Sequence, residues 1–477
     1  LENNTILSVG IDLGTSTTQL VLSRLTIKNF ASAFSVPRIN ISKKEVIYKS
    51  DIIFTPLLNQ QTIDAAVIKK FVTQQYEKAG INKTAIQMGA VIITGETARK
   101  DNANAVTEAL SGYAGDFVVA TAGPDLESII AGKGAGTNIT SKDKHQLAVN
   151  LDIGGGTSNL VVFDGLDVID TACFDIGGRL IKVEKKTGKI NYIAPKIEKL
   201  ITELKLDISY GTTASPQLLA PIIQILVQVL ENSVGIGTKS PYYDMLVANH
   251  GLHLNPNIPL VTFSGGVADC LNENLPTDIF KYGDIGLLLG YALRNSQIYR
   301  DKQVATSLET IRATVVGAGS HTTDVSGSTI SFTQGILPLR NLPILKMARQ
   351  DEQGDTAELA EQITKKIKWY QVENELHNVV LAFNGLKNPK FSDIQRYAEG
   401  ITIGAKTLIE KQEPLIIIVH EDMAKALGHS LYAQLPPKYP FVCIDSVKVE
   451  NGDYIDLGEP VADNSVLPVI VKTLIFG

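Results

Sequence analysis

Two duplicated α/β lobes followed by a further α/β unit are the fold that this sequence predicts, and three features predict it. Strands and helices alternate through the first half of the chain. One phrase, a strand running through Asp into a Gly turn and out along a second strand, occurs twice there. From about Tyr299 the text changes and a new alternation begins. The length of 477 residues exceeds what one core supports, so two to four domains are expected. Hydrophobic content of 44% and charged content of 20% are ordinary for a folded, soluble protein.

The elements follow in order. "TILSVGID" (Thr5–Asp12) and "TTQLVLSRL" (Thr17–Leu25) read as strands around a tight turn. In "TIDAAVIKKFVTQQYEKAG", Ala65, Ile68, Phe71, Val72 and Tyr76 share one helical face, and Gly80 is the stop. "AVIITG" reads as a buried strand, residues 96–115 as a helix and "DFVVATAG" (Asp116–Gly123) as a strand. "NLDIGGGTSNLVVFD" (Asn150–Asp164) is the second hairpin, followed by "LDVIDTACFD" and a lysine-rich stretch over Lys182–Lys199. A helix is expected over Pro216–Asn232 and a strand over "PLVTFSGG" (Pro259–Gly266). Asp284 is placed to cap a helix from Ile285 to about Asn295, whose Gly286 and Gly290 make one face smooth for close packing on another helix. Beyond Tyr299, "TIRATVVGAGSHTTDVSGSTISF" reads as strands joined by Gly/Ser turns. "NVVLAFNG", "PLIIIVH" and "PFVCID" read as buried strands, and residues 356–370, 393–411 and 422–435 as the helices between them.

Set without gaps, Val9–Leu22 and Val149–Val162 agree at six of fourteen positions: Val9/Val149, Asp12/Asp152, Gly14/Gly154, Thr17/Thr157, Leu20/Leu160 and Val21/Val161. Such a turn has a definite chemistry. Glycines let successive backbone N–H groups converge on an anion, and the hydroxyls of Thr15, Ser16, Thr17, Thr157 and Ser158 add donors. An acid at the strand end repels phosphate unless a cation lies between them. Asp12 and Asp152 are therefore read as outer ligands of Mg²⁺ through water, which that ion surrenders reluctantly. One hairpin per lobe would grip a phosphate chain, and the metal would neutralise charge developing in phosphoryl transfer. A single Gly-rich turn is as well explained as a plain hairpin; the duplicated pair is not.

The order of motifs resembles that of the actin, hexokinase and heat-shock-chaperone ATPase superfamily. "DLGTSTT" (Asp12–Thr18) matches its first phosphate hairpin, and "TGETARKDNA" (Thr94–Ala103) its first connecting helix. "LDIGGGTSN" (Leu151–Asn159) matches the second hairpin, "FSGGVAD" (Phe263–Asp269) the adenosine motif and "GDIGLLLGYAL" (Gly283–Leu293) the second connecting helix. The resemblance implies an actin-like ATPase fold binding ATP and Mg²⁺. Its phosphate contacts would come from Gly14, Thr15, Ser16 and Thr17, and from Gly154, Gly155, Gly156 and Thr157. Gly265 and Gly266 would let adenosine lie on the backbone, and Asp12 and Asp152 would be catalytic and metal-holding. Glu96 is a further metal-water contact, with a helix-start acid as its equal alternative. Residues 1–145 would form the first lobe, 146–282 the second, 283–298 the connecting helix and 299–477 a partner-binding α/β extension.

Within that superfamily, "VIITGETARKDNA", "NLDIGGGTSNLVVFD" and "RATVVGAGSHTTDVSGSTI" are similar to phrases of the ethanolamine ammonia-lyase reactivating factors. The last phrase lies outside the ATPase core, which makes it the most discriminating. This resemblance covers essentially the whole chain. It implies a chaperone-like cytoplasmic ATPase that recognises ethanolamine ammonia-lyase, associates with the ethanolamine-utilisation microcompartment and releases damaged cobalamin so that adenosylcobalamin can replace it. No DxHxxG cobalamin motif occurs, so direct His ligation of the corrinoid is not expected. Lobe closure on nucleotide is the mechanism implied.

Two rival functions share this fold. A small-molecule kinase would need an acid poised at a substrate hydroxyl, and no such residue stands out. A membrane-linked filament protein would end in an amphipathic helix, whereas "SVLPVIVKTLIFG" reads as a strand. Net charge of −6 without a basic stripe disfavours nucleic acid or an anionic membrane as partner, and the longest apolar runs fall short of a membrane span. Cys173, Cys270 and Cys443 form no CxxC pair and read as buried structural thiols. His250 and His253 are spaced for metal, but no neighbouring acid or Cys completes a set, so a loop role is favoured. His420-Glu421-Asp422 reads as a helix start with acids in its first turn, "GAGSH" (Gly317–His321) as a turn and Trp369 as a packing residue.

Overall fold

The computed structural model describes residues 4–14, 17–29, 39–59, 62–94, 102, 106, 110, 116–122, 124–253, 258–271, 278–308, 318–325, 330–372, 375–376, 378–458 and 467–475. It divides into two compact units, Leu1–Leu126 with Gly317–Ile475, and Glu127–Val316 with Phe476–Gly477. The C-terminal extension therefore groups with the first lobe.

In the first unit, β1 (Asn4–Leu13) turns back into β2 (Thr17–Asn29), and β3 (Ile39–Lys49) continues the antiparallel meander. The short β4 (Ile53–Phe54) adds to β2 beside the turn, while β5 (Ile86–Thr94) and β6 (Asp116–Ala122) run parallel to β1 on its other side. The order is β3-β2-β1-β5-β6. Val9, Ile11, Leu13, Leu20 and Leu22 are buried in the central pair. The helix Ala65–Lys78 covers the sheet with Ile68, Phe71, Val72 and Tyr76. Asp64 caps its start by accepting from the Ala66 and Val67 N–H groups, and Gly80, at φ +66°, follows its end. The helix expected over 96–115 lies outside the described residues, apart from Asn102, Val106 and Leu110.

The second unit repeats this plan. β7 (Ala148–Ile153), β8 (Ser158–Asp164) and β9 (Asp167–Phe174) form the antiparallel meander, and β10 (Leu260–Ser264) and β11 (Gln303–Val304) run parallel beyond β7. The order β9-β8-β7-β10-β11 is that of the first sheet, strand for strand. The duplication read from fourteen residues thus extends to a whole sheet, and this repeated order is the actin-like arrangement that the motif succession implies. The lysine-rich stretch resolves into strands Ile181–Val183 and Ile190–Ile193 and the helix Pro195–Glu203. The long helix Pro216–Ser233 starts from a Ser215 cap. The connecting helix Gly286–Arg294 begins where Asp284 accepts from the Gly286 N–H at 2.9 Å. It packs closely on the helix Gly266–Leu271, since a Cβ on Gly290 would come within 2.7 Å of Cys270 Cβ.

The extension carries β12 (Ala318–Val325), β13 (Ile330–Phe332), β14 (Leu339–Lys346), β15 (Val380–Phe383), β16 (Leu415–Val419), β17 (Phe441–Asp445), β18 (Asp453–Leu457) and β19 (Pro468–Ile475). They form one eight-stranded sheet in the order β12-β19-β18-β14-β15-β16-β17-β13, with β14 to β17 parallel. The helix expected over 393–411 is interrupted after Gly404, giving Phe391–Gly404 and Lys406–Glu410. "GAGSH" is not a turn: Ala318–His321 belong to β12. Glu421 and Asp422 precede the helix Ala424–Gln434 rather than occupying its first turn. Trp369 is buried, as are all three cysteines. Among the described residues no helix is long and apolar enough to cross a membrane.

Candidate functional site

In the first lobe, strand register sets Asp12 opposite Gln19 and Leu13 opposite Thr18. The Gly14 N–H donates to the Thr17 carbonyl at 2.9 Å, closing the turn. Asp12 is buried at the strand end, with Gln19 Nε2 3.4 Å from its Oδ2. Thr15, Ser16 and Glu96 lie outside the described residues.

The second lobe repeats the strand register, the buried aspartate and the turn closure. Asp152 stands opposite Asn159, so each aspartate faces a carboxamide, and the Gly154 N–H donates to the Thr157 carbonyl at the same 2.9 Å. Behind Asp152 runs a buried polar chain. Ser264 Oγ donates to Asp152 Oδ1 at 2.6 Å, Asn150 Nδ2 donates to Ser264 Oγ at 2.8 Å, and Thr262 Oγ1 donates to Asn150 Oδ1 at 2.9 Å. Burial pushes the Asp152 carboxyl up to about 6, against the opposing pull of the Ser264 hydrogen bond. A nearby cation would restore the ionised form.

Glycines of this lobe do two different things. A Cβ on Gly156 would meet nothing within 4 Å, so the turn is open on that side, as a backbone anion site requires. Gly265, at φ +84°, would drive a Cβ to 2.4 Å from the Ile153 carbonyl oxygen. Its lack of a side chain is thus demanded by the hairpin strand beside it. Gly266 opens the short helix Gly266–Leu271. A Gly177-Gly178-Arg179 segment, not singled out in the sequence, clasps the turn from behind. The Gly178 N–H donates to the Gly154 carbonyl at 2.9 Å and the Arg179 N–H to the Gly155 carbonyl at 2.7 Å. Arg179 Nε also reaches Asp284 Oδ2 at 3.3 Å, tying the clasp to the start of the connecting helix. Ser264 lies inside the quoted "FSGG" phrase and the glycine pair was visible at 177–178. Their roles depend on strand pairing, which the residue types do not announce.

The histidine pair has an acid after all. Asp170, wholly buried on β9, accepts from the His253 N–H at 2.6 Å and lies 3.0 Å from His253 Nδ1. Its separation by 83 positions hid it from the sequence reading.

Residues 4–477 match the family model for ethanolamine utilisation protein EutA. The chain is similar to the ethanolamine ammonia-lyase reactivase EutA of Salmonella typhimurium, 37% identical with all of both chains covered. It is equally similar to the protein of that name from Escherichia coli K12, again 37% identical over the full length of both. Among solved structures it is similar to a Ppx/GppA family protein of Aquifex aeolicus, with 13% identity, a TM-score of 0.38, and 66% of this chain and 97% of that one covered. It is also similar to ethanolamine utilization protein EutJ of Carboxydothermus hydrogenoformans, with 14% identity, a TM-score of 0.34, and 66% and 89% covered.

Proposed function

We infer the function of this chain from its family: it belongs to the EutA family of ethanolamine utilisation proteins, and its reading is a reactivase of ethanolamine ammonia-lyase. Full-length identity of 37% to two proteins named for that activity supports this role. The finer reading is that ATP, with Mg²⁺, drives release of damaged cobalamin from the lyase so that intact adenosylcobalamin can enter. The protein would act in the cytoplasm, at or near the ethanolamine-utilisation microcompartment, with the C-terminal extension contacting the lyase.

The observation that carries the nucleotide reading is the repeated turn. Each lobe has a buried aspartate at a strand end, a cross-strand carboxamide and a Gly-to-Thr closure. The donor set suits a metal–phosphate group: hard carboxylate oxygens, hydroxyls and an open backbone face at Gly156. In this reading Gly14, Thr15, Ser16 and Thr17, with Gly154, Gly155, Gly156 and Thr157, offer N–H and hydroxyl donors to the phosphates. Asp12, Asp152 and Glu96 hold waters of Mg²⁺, and Gly265 and Gly266 border the adenosine. The metal, when bound, neutralises phosphate charge during hydrolysis. Ser264 orients the Asp152 carboxylate through its hydrogen bond.

The test starts with ethanolamine ammonia-lyase blocked by an inactive cobalamin. Incubation with this protein and Mg-ATP, followed by fresh adenosylcobalamin, should restore deaminase activity, and Asp152→Asn should restore far less. Absence of recovery with the unmutated chain would sink the reading.

A further inference from the structure

We propose that Thr55 is a positioning residue for the phosphate-binding turn of the first lobe, doing with a side-chain hydroxyl what backbone N–H groups do in the second. The inference rests on the nucleotide reading above. Gly14 and Gly154 occupy equivalent places in the two repeats. The Gly154 carbonyl is held by the Gly178 N–H at 2.9 Å. The Gly14 carbonyl instead accepts from Thr55 Oγ1 at 2.6 Å.

A peptide unit is planar and trans, so its C=O and N–H point in opposite directions. Holding the Gly14 carbonyl therefore fixes the plane of the peptide that leads into the turn. Backbone N–H groups of such a turn are the donors a phosphate would use. In the second lobe two successive carbonyls, those of Gly154 and Gly155, are held in this way.

Thr55 is well placed to act as the brace. It is buried, and its hydroxyl lies 3.1 Å from that of Thr18, the residue just past the turn. It follows β4, which pairs Phe54 with Thr17 and Ile53 with Thr18, so the segment is attached to the turn's outgoing strand. The Pro56 carbonyl accepts from the Asp64 N–H at 2.9 Å, linking the same segment to the cap of helix Ala65–Lys78. The second turn is held by main chain, through a segment where a Cβ on Gly177 would come within 2.4 Å of the Gly155 carbonyl oxygen. The first is braced by a replaceable side-chain hydroxyl, that of Thr55.

The test compares Thr55→Val, Thr55→Ser and Thr55→Ala in the full chain. Affinity for ATP and ADP with Mg²⁺ is measured by titration, together with the kcat and KM of ATP hydrolysis and the melting temperature without nucleotide. Loss of one neutral hydrogen bond predicts nucleotide binding weakened by about five- to tenfold in Thr55→Val and Thr55→Ala. Thr55→Ser should stay within about twofold of the unmutated chain, because it keeps the hydroxyl. A residue of purely structural importance would lower the melting temperature and leave nucleotide affinity unchanged. Thr55→Ala, which places no extra methyl in the buried site, carries the comparison if the valine variant misfolds. Unmutated binding with equally strong binding by Thr55→Ala overturns this inference alone. No nucleotide binding by the unmutated chain overturns the nucleotide reading and this inference with it.

Discussion

Asp152 is buried with its carboxyl pushed up to about 6, and that has a measurable consequence. An ordinary aspartate titrates near 3.9. Between about pH 4 and pH 6 the folded chain holds a proton that the unfolded chain has lost, so this contribution to stability declines as pH rises through that window. Asp152→Asn removes the cost of a buried anion. Without divalent ions or nucleotide, the variant should be more stable than the parent above pH 6, by up to about 3 kcal/mol. The difference should vanish below about pH 4, and paired chemical-denaturation series would show it. Comparison with the parent is necessary because Asp445, buried and close to Asp422, is also raised to about 6. A difference that stays constant with pH would contradict the assignment. Nucleotide binding should behave in the opposite sense, weakening as pH falls through 6, because the metal needs the ionised carboxylate.

At the scale of elements, close approach of backbones does most of the positioning. The connecting helix reaches the helix Gly266–Leu271 only because Gly290 lacks a side chain, with the would-be Cβ 2.7 Å from Cys270 Cβ. Gly290→Ala should cost roughly 1–3 kcal/mol as an overpacked contact. Gly265→Ala should cost at least as much, since it meets a backbone oxygen and strains a left-handed φ of +84°. Thermal melts of both variants would check the size and order of these losses. Helix starts are simpler, because capping residues announce them: Asp64, Ser215 and Asp355 each accept backbone N–H groups at the beginning of their helices. Strand β3 escaped the sequence reading because Lys43, Lys44 and Glu45 interrupt its apolar alternation. Such charge is common where a strand lies at a sheet edge, and β3 ends the first sheet.

Across the whole molecule, two sheets of one order, each with its own aspartate and turn, lead to a joint prediction. In the nucleotide reading, saturating Mg-ATP should raise the melting temperature, with about 2.7 kcal/mol of linkage at a hundredfold excess over Kd. Asp12→Asn and Asp152→Asn should each remove most of that shift. Loss in one variant only would mean that the repeats have diverged in function. The repeat was legible in the sequence because a turn closed by Gly14 and Thr17, or by Gly154 and Thr157, is a local structure whose requirements lie within a few consecutive residues. Asp12 and Asp152, the α/β class and the strand–helix alternation were legible for the same reason. What surrounds the turns was not. Ser264 on Asp152, Gly178 behind Gly154, Thr55 behind Gly14 and Asp170 beneath His253 all come from distant segments. Their residue types are common, and only the tertiary fold brings them together. The sequence by itself determined which peptides form the turns; tertiary structure decided which atoms hold those peptides in place, because a hydrogen bond requires proximity and direction that no local spacing encodes.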